Sequence, residues 1–200
     1  MKELKQNYLQ KKKIIRQRLK EFSDIDKNNI FYEICFCLLT PQSNAYKCDE
    51  CIQILKQKDF LYKNFEIKYI LKDKTRFYKN KSNYLKLLKK DFNSINKEIE
   101  INKDNKKLRE YLVKNVKGLG YKEASHVLRN LGFRDLAILD RHILRNLEKY
   151  KVIKEIPRYL NKKSYLSIEE KFYKFSKKIN IPMDELDLLF WSMQTGKVFK

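Results

Sequence analysis

Two of the chain's four glycines, Gly118 and Gly120, are separated only by Leu119. They lie in a run that is otherwise helix-compatible on both sides, VKGLGYKEASHVLRNLGFRDLAILDRHILRNL at residues 116–147. Glycine enters the positive-φ region at little cost, so the spacing predicts a helix, a tight hairpin turn and a second helix over about 121–131. Such a turn exposes backbone N–H groups at a helix start. The amides of Gly118, Leu119 and Gly120 would form a concave positive site for a phosphate oxygen, and with no side chain involved the contact is blind to base sequence. An ordinary helix-to-helix turn carries the same glycines, so the residues that follow decide between the two.

Lys122 stands in the first turn of that second helix, where the macrodipole disfavours a cation by about 0.3–1 kcal/mol. An uncharged amine suits that field better, and it can attack a sugar C1′ or a carbonyl to form a Schiff base. A plain phosphate contact or a solvated lysine is the alternative. Asp140 follows the apolar run at 136–139 and precedes a helical run over 141–147, the placement of an N-cap. A carboxylate fixed at a helix start can also stabilise positive charge developing on a sugar ring, or activate an amine.

Elsewhere chain breakers are scarce, with three prolines in 200 residues. Apolar residues recur at three-to-four spacing in 30–39, 48–55, 84–88, 108–116 and 172–179. That pattern predicts an all-α protein with short connections, broken at 23–27, 93–105, the hairpin glycines and 154–161 around Pro157. An apolar content of 42% suffices for one good core or two small lobes. Forty-six Lys and Arg against 25 Asp and Glu leave a net charge of +21, which favours a polyanion and strong salt dependence without separating DNA from RNA. Lysine runs such as Lys11-Lys12-Lys13 and Lys89-Lys90 read as solvated helix faces.

The four cysteines form a Cys35-x-Cys37 pair and a Cys48-x-x-Cys51 pair. Cys35 and Cys37 point to different faces of an apolar helix, which argues against joint ligation. Buried reduced thiols, no metal and no cofactor are expected. The two histidines, His126 and His142, are assigned structural or backbone-contacting roles ahead of general-base work. With no signal peptide and no long apolar run, a soluble cytoplasmic protein is expected.

The hairpin segment GLGYKEASHVLRNLGFRDLAILDRHIL resembles the helix-hairpin-helix DNA glycosylases, and within them the archaeal-type 8-oxoguanine DNA glycosylase/AP lyase family. LLTPQSNA at 38–45 is similar to an early motif of the superfamily, RFYKNKSNYL at 76–85 to a basic-aromatic helix of this branch, and ELDLLFWSMQTGKVFK at 185–200 to its C-terminal signature. The resemblance implies two helical lobes with the helix-hairpin-helix at a DNA-binding cleft. Lobe one would cover 25–133 with the hairpin at 108–131, and lobe two 1–24 plus 134–200. It makes Lys122 the Schiff-base lysine and Asp140 the essential aspartate, the two facing each other at the cleft mouth. Gln42 falls on the position that fills the hole left by a flipped nucleotide. Asp187, Trp191 and the terminal Lys200 fall on base-pocket positions. The chain departs from the family pattern at Ile138-Leu139-Asp140, where a proline is expected.

Double-stranded DNA carrying an oxidised base is the implied partner, bound by a monomer. Relatives of endonuclease III hold an iron–sulfur cluster on cysteines near the C-terminus, and no cysteine follows Cys51 here. An endonuclease III-like glycosylase for oxidised pyrimidines and a non-catalytic DNA-binding hairpin module remain as alternatives.

Overall fold

A computed structural model describes residues 1–199; Lys200 lies outside the described residues. All regular structure among them is helical, and two compact units divide the chain, Ile25–Val127 and Met1–Asp24 with Leu128–Lys200.

The unit Ile25–Val127 is built around α2, Ile30–Leu39, in which every residue is buried. A helix apolar on all faces needs neighbours on all sides. They are supplied chiefly by α3 (Ala45–Gln57) and α5 (Tyr78–Ile101), while the short α4 (Lys68–Leu71) packs on α3 and α5, and α6 (Asn105–Asn115) on α5. Phe31 of α2 meets Phe92 of α5 edge-on at 5.1 Å. Each fully buried Phe, Leu or Ile of this kind contributes about 1.5–3 kcal/mol. Sequence-local caps fix the helix starts. Asn44 accepts from the Tyr46 and Lys47 amides at α3, and Asp104 from those of Lys106 and Lys107 at α6.

The break expected over 93–105 narrows to 102–104. Helix α5 continues to Ile101, because Phe92, Ile95 and Ile99 keep facing the core at helical spacing. That burial outweighs the poor helix propensity of the Asn and Ser between them. The four cysteines are buried free thiols. Burial pushes the Cys48 thiol up to about 12 and the Cys51 thiol to about 11, so neither supplies a thiolate near neutral pH.

The second unit holds α1 (Lys2–Ser23), the end of α7 (Tyr121–Asn130), α8 (Arg141–Lys149), α9 (Lys162–Ile179) and α10 (Met183–Thr195). Helix α1 docks on α10 through polar contacts over a buried Leu4, Ile15 and Leu19. Tyr8 donates to Glu185 at 2.5 Å, Arg16 Nε lies 3.1 Å from the same carboxylate, and Lys11 Nζ donates to the Ser192 carbonyl at 3.2 Å. No helix among the described residues is long and apolar enough to cross a membrane.

Candidate active site

The hairpin forms from α6, a turn over 116–120 and α7. Gly118 adopts φ +98, and a Cβ there would meet the Tyr84 ring of α5 at 2.5 Å, so both backbone and space demand glycine. Gly120 does not enter the left-handed region; its carbonyl accepts the Ala124 amide at 2.9 Å and opens α7. Leu119 is buried, which anchors the turn to the core. A polar network holds the two helices together: Arg109, 1% exposed, donates to Ser125 Oγ at 3.1 Å and lies 5.2 Å from the Tyr121 ring, while Tyr121 donates to Glu110.

The proposed phosphate cradle is partly filled from within. The Leu119 amide donates to the Val116 carbonyl at 3.2 Å, and the Gly120 amide donates to Glu123 Oε2 at 3.3 Å. This glutamate reaches back from the first turn to the capping residue, half of a capping box. Its other oxygen, Oε1, pairs with Lys122 Nζ at 3.1 Å, with the lysine side chain 28% exposed. The carboxylate thus offsets the poor placement of a cation in the first turn, and it takes up the Gly120 amide that the sequence pattern assigns to a phosphate. The pattern Gly120-x-x-Glu123 could have signalled this partner in the sequence.

In the other unit, the segment leading to Asp140 is buried and irregular, ending in a tight turn in which the Asp140 amide donates to the Ile138 carbonyl at 2.7 Å, and other backbone polar groups find side-chain partners. The Ala137 amide donates to the buried Glu169 at 2.8 Å, and Tyr165 donates to the Ala137 carbonyl at 2.5 Å. An unpartnered amide here would cost about 1–3 kcal/mol. So held, Asp140 caps α8, accepting the Ile143 amide on Oδ1 at 2.8 Å and the Leu144 amide on its carbonyl at 2.9 Å. Oδ2 is left for other work.

Asp187, on α10 in the same unit, lies 3.6 Å from the Arg129 guanidinium. Burial pushes its carboxyl up to about 7 against the pull of Arg129, and the Asp140 and Asp184 charges add to the rise. Burial likewise raises Asp184 to about 6. Arg129 also lies 4.9 Å from the Phe22 ring of α1. Trp191, also on α10, is half-buried and stacks with Phe199 at 6.2 Å, outside the close-packed core of this unit. Lys200, expected from the sequence at the base pocket, lies outside the described residues.

Gln42 is exposed on the turn between α2 and α3, in the left-handed region at φ 54. Lysine and glutamine of the expected site therefore belong to one unit, and Asp140, Asp187 and Trp191 to the other. His126 is buried against the Phe36 ring at 5.8 Å, a packing position. The His142 carbonyl accepts from Asn146 at 2.9 Å within α8.

Comparison with known proteins agrees along nearly the whole chain. A sequence family described as 8-oxoguanine DNA glycosylase matches residues 15–181. A protein of Fusobacterium nucleatum named 8-oxoguanine DNA glycosylase/AP lyase is 44% identical, over 99% of this chain and 96% of its own. One of the same name from Methanocaldococcus jannaschii is 41% identical, over 94% and 93%. Among solved structures, the M. jannaschii 8-oxoguanine glycosylase/lyase in complex with a 15mer DNA containing 8-oxoguanine matches at a TM-score of 0.87 and 37% identity, covering 100% of both chains. The Thermotoga maritima 8-oxoguanine DNA glycosylase matches at 0.89 and 32%, covering 100% of this chain and 97% of its own. With its glycine hairpin, the lysine one residue beyond the helix start and the aspartate cap, the chain belongs to the 8-oxoguanine DNA glycosylase family.

Proposed function

We propose that this chain, acting as a monomer, removes 8-oxoguanine from duplex DNA and then cleaves the strand at the abasic sugar. The observation that carries the reading is Lys122, a partly exposed amine just past the glycine hairpin in a chain of this family. A glycosylase that activates water stops at the abasic site, whereas an amine nucleophile leaves an imine that permits strand cleavage.

On this reading the hairpin amides at Gly118, Leu119 and Gly120 grip a backbone phosphate, which displaces the Glu123 carboxylate from Gly120 and Lys122. The damaged nucleotide swings out of the stack, because C1′ is shielded while the base is stacked. Gln42 fills the vacated space. Asp187 and Trp191 line the base pocket, and Lys200 helps read the purine. The two units serve as the two lobes of the glycosylase, the hairpin belonging with the first.

The Lys122 amine lone pair forms a bond to C1′ as the glycosidic bond breaks, and the base leaves with the bonding pair and picks up a proton. The Asp140 carboxylate stabilises the positive charge that develops on the sugar. The amine then loses its proton as the ring opens, giving a C1′ imine. Removal of a C2′ proton expels the 3′ phosphate, and water finally hydrolyses the imine to restore Lys122.

Single-turnover assays on duplexes carrying 8-oxoguanine, thymine glycol or a preformed abasic site test the assignment. Excision of 8-oxoguanine with strand cleavage is expected. Cleavage confined to thymine glycol or the abasic duplex would keep the lyase and discard the substrate, and no reaction anywhere would favour a DNA-binding module.

A further inference from the structure

Lys81 lies in the first turn of α5 and is 3% exposed, although nothing in the sequence distinguishes it from the solvated lysines around it. Its ammonium donates to the Leu39 carbonyl at 2.7 Å, the Pro41 carbonyl at 2.8 Å and Ser43 Oγ at 2.8 Å. All of these acceptors belong to the end of α2 and the turn that follows it. That turn closes with the Ser43 amide donating to the Thr40 carbonyl at 3.0 Å. Pro41 takes its second position and Gln42, at φ 54, its third. A positive φ at the third position is the geometry that normally selects glycine or asparagine.

Ser43 Oγ also accepts the Arg76 amide at 3.0 Å, which ties the turn to the segment entering α5. There Phe77 is left-handed as well, at φ 58, and 55% exposed. Two residues in a costly backbone conformation, both with solvent-facing side chains, thus share one buried anchor. Strain of this kind, of order 1–3 kcal/mol per residue, persists only where the surroundings over-determine it.

Stability alone does not account for the anchor. The three oxygens around the Lys81 ammonium are neutral, and a buried charge without a carboxylate partner is expensive. Burial pushes Lys81 down to about 8, with the Lys122 and Arg76 charges acting in the same direction.

We infer that Lys81 is a positioning residue for base excision: it locks the turn at 40–43 so that the Gln42 side chain is held ready for the space the flipped nucleotide vacates. The inference rests on the role given to Gln42 under the proposed function. A pre-set turn spares the ordering cost that a mobile glutamine would incur on binding.

A double-mutant cycle tests it, using Gln42→Ala, Lys81→Met and the pair. Single-turnover excision is measured on an 8-oxoguanine duplex, and affinity on an undamaged one. If Lys81 acts through Gln42, each single variant slows excision by about 10- to 100-fold. Affinity for undamaged duplex then stays within about threefold, and the double variant is no slower than the worse single one. Ser43→Ala, which removes one acceptor, guards against a Lys81→Met protein that does not fold and should give a smaller loss that also vanishes in the Gln42→Ala background. Additive losses, or full excision by Lys81→Met or Ser43→Ala beside a slow Gln42→Ala, would overturn the Lys81 role and leave that of Gln42 standing. Full excision by Gln42→Ala would overturn both.

Discussion

Helices α7 and α8 start in opposite ways, and the residues assigned to the chemistry sit at those two starts. At α7 the cap is Gly120, completed by Glu123 reaching back to the Gly120 amide, so the fold does not depend on the Lys122 side chain. At α8 the cap is Asp140 itself, one carboxylate oxygen bound to the Ile143 amide. The residue proposed as nucleophile is relieved of capping duty, while the proposed charge-stabilising carboxylate also carries the cap. The contrast teaches that chemistry and stability should separate at one helix start and stay coupled at the other.

Lys122→Gln should give the largest effect and the cleanest separation. Strand cleavage at a preformed abasic site is expected to fall by roughly a thousandfold or more, with the unfolding free energy changed by no more than about 0.5 kcal/mol. A large stability loss would show that Lys122 is part of the cap after all.

Asp140→Ala comes next, and it should lose on both counts. Excision drops by about a hundredfold and unfolding free energy by about 0.5–2 kcal/mol for the missing cap. Asp140→Asn sharpens the comparison, since Asn caps as well as Asp: urea unfolding should match wild type while excision stays low. Recovery of excision in the Asn variant would mean that the cap, not the charge, is what matters.

Asp187→Asn probes the buried carboxyl through pH. A carboxyl whose folded value, about 7, lies above its unfolded value favours the fold while protonated. That contribution is complete below about pH 4 and is lost as pH rises through about 7. Asparagine does not titrate, so the variant's melting temperature relative to wild type should climb between pH 4 and 8. A constant difference would show that Asp187 is ionised throughout. Asp184 rises as well and its charge acts on Asp187, so the same difference measured in an Asp184→Asn background isolates the Asp187 contribution.

Glu123→Gln should have the smallest effect. The amide side chain can still reach the Gly120 amide, so stability should hold within about 0.5 kcal/mol. With one negative charge removed from the phosphate position, affinity for undamaged duplex, read by fluorescence anisotropy, should rise by about two- to threefold. Weaker binding would mean that Glu123 shapes the hairpin for DNA instead of standing in for it.

What could be seen in the sequence follows the range over which each signal acts. The helix-hairpin-helix, the Asp140 cap and the first-turn placement of Lys122 depend on neighbours a few positions away, and all three were legible as local geometry. Gly118 and Gly120 looked equivalent, yet only Gly118 needs a positive φ; Gly120 opens a helix. The break reads as 93–105 in the sequence where the chain breaks only at 102–104, because Asn93, Ser94 and Asn96 are poor helix formers locally, while the burial of Ile95 and Ile99 that overrides them is tertiary. Lys81 was hidden for the same reason: its acceptors lie on a distant turn, and a lysine that will be buried has the same spelling as one that will be solvated.

The covalent link to DNA is assigned to the Lys122 amine. Borohydride reduction of the wild-type protein on an 8-oxoguanine duplex, followed by proteolysis and mass mapping of the adduct, tests it most directly. The sugar remnant is predicted on the peptide containing Lys122 and on no other lysine. An adduct on Lys81, on another lysine or on the amino terminus, or strand cleavage without any trapped species, would contradict the account.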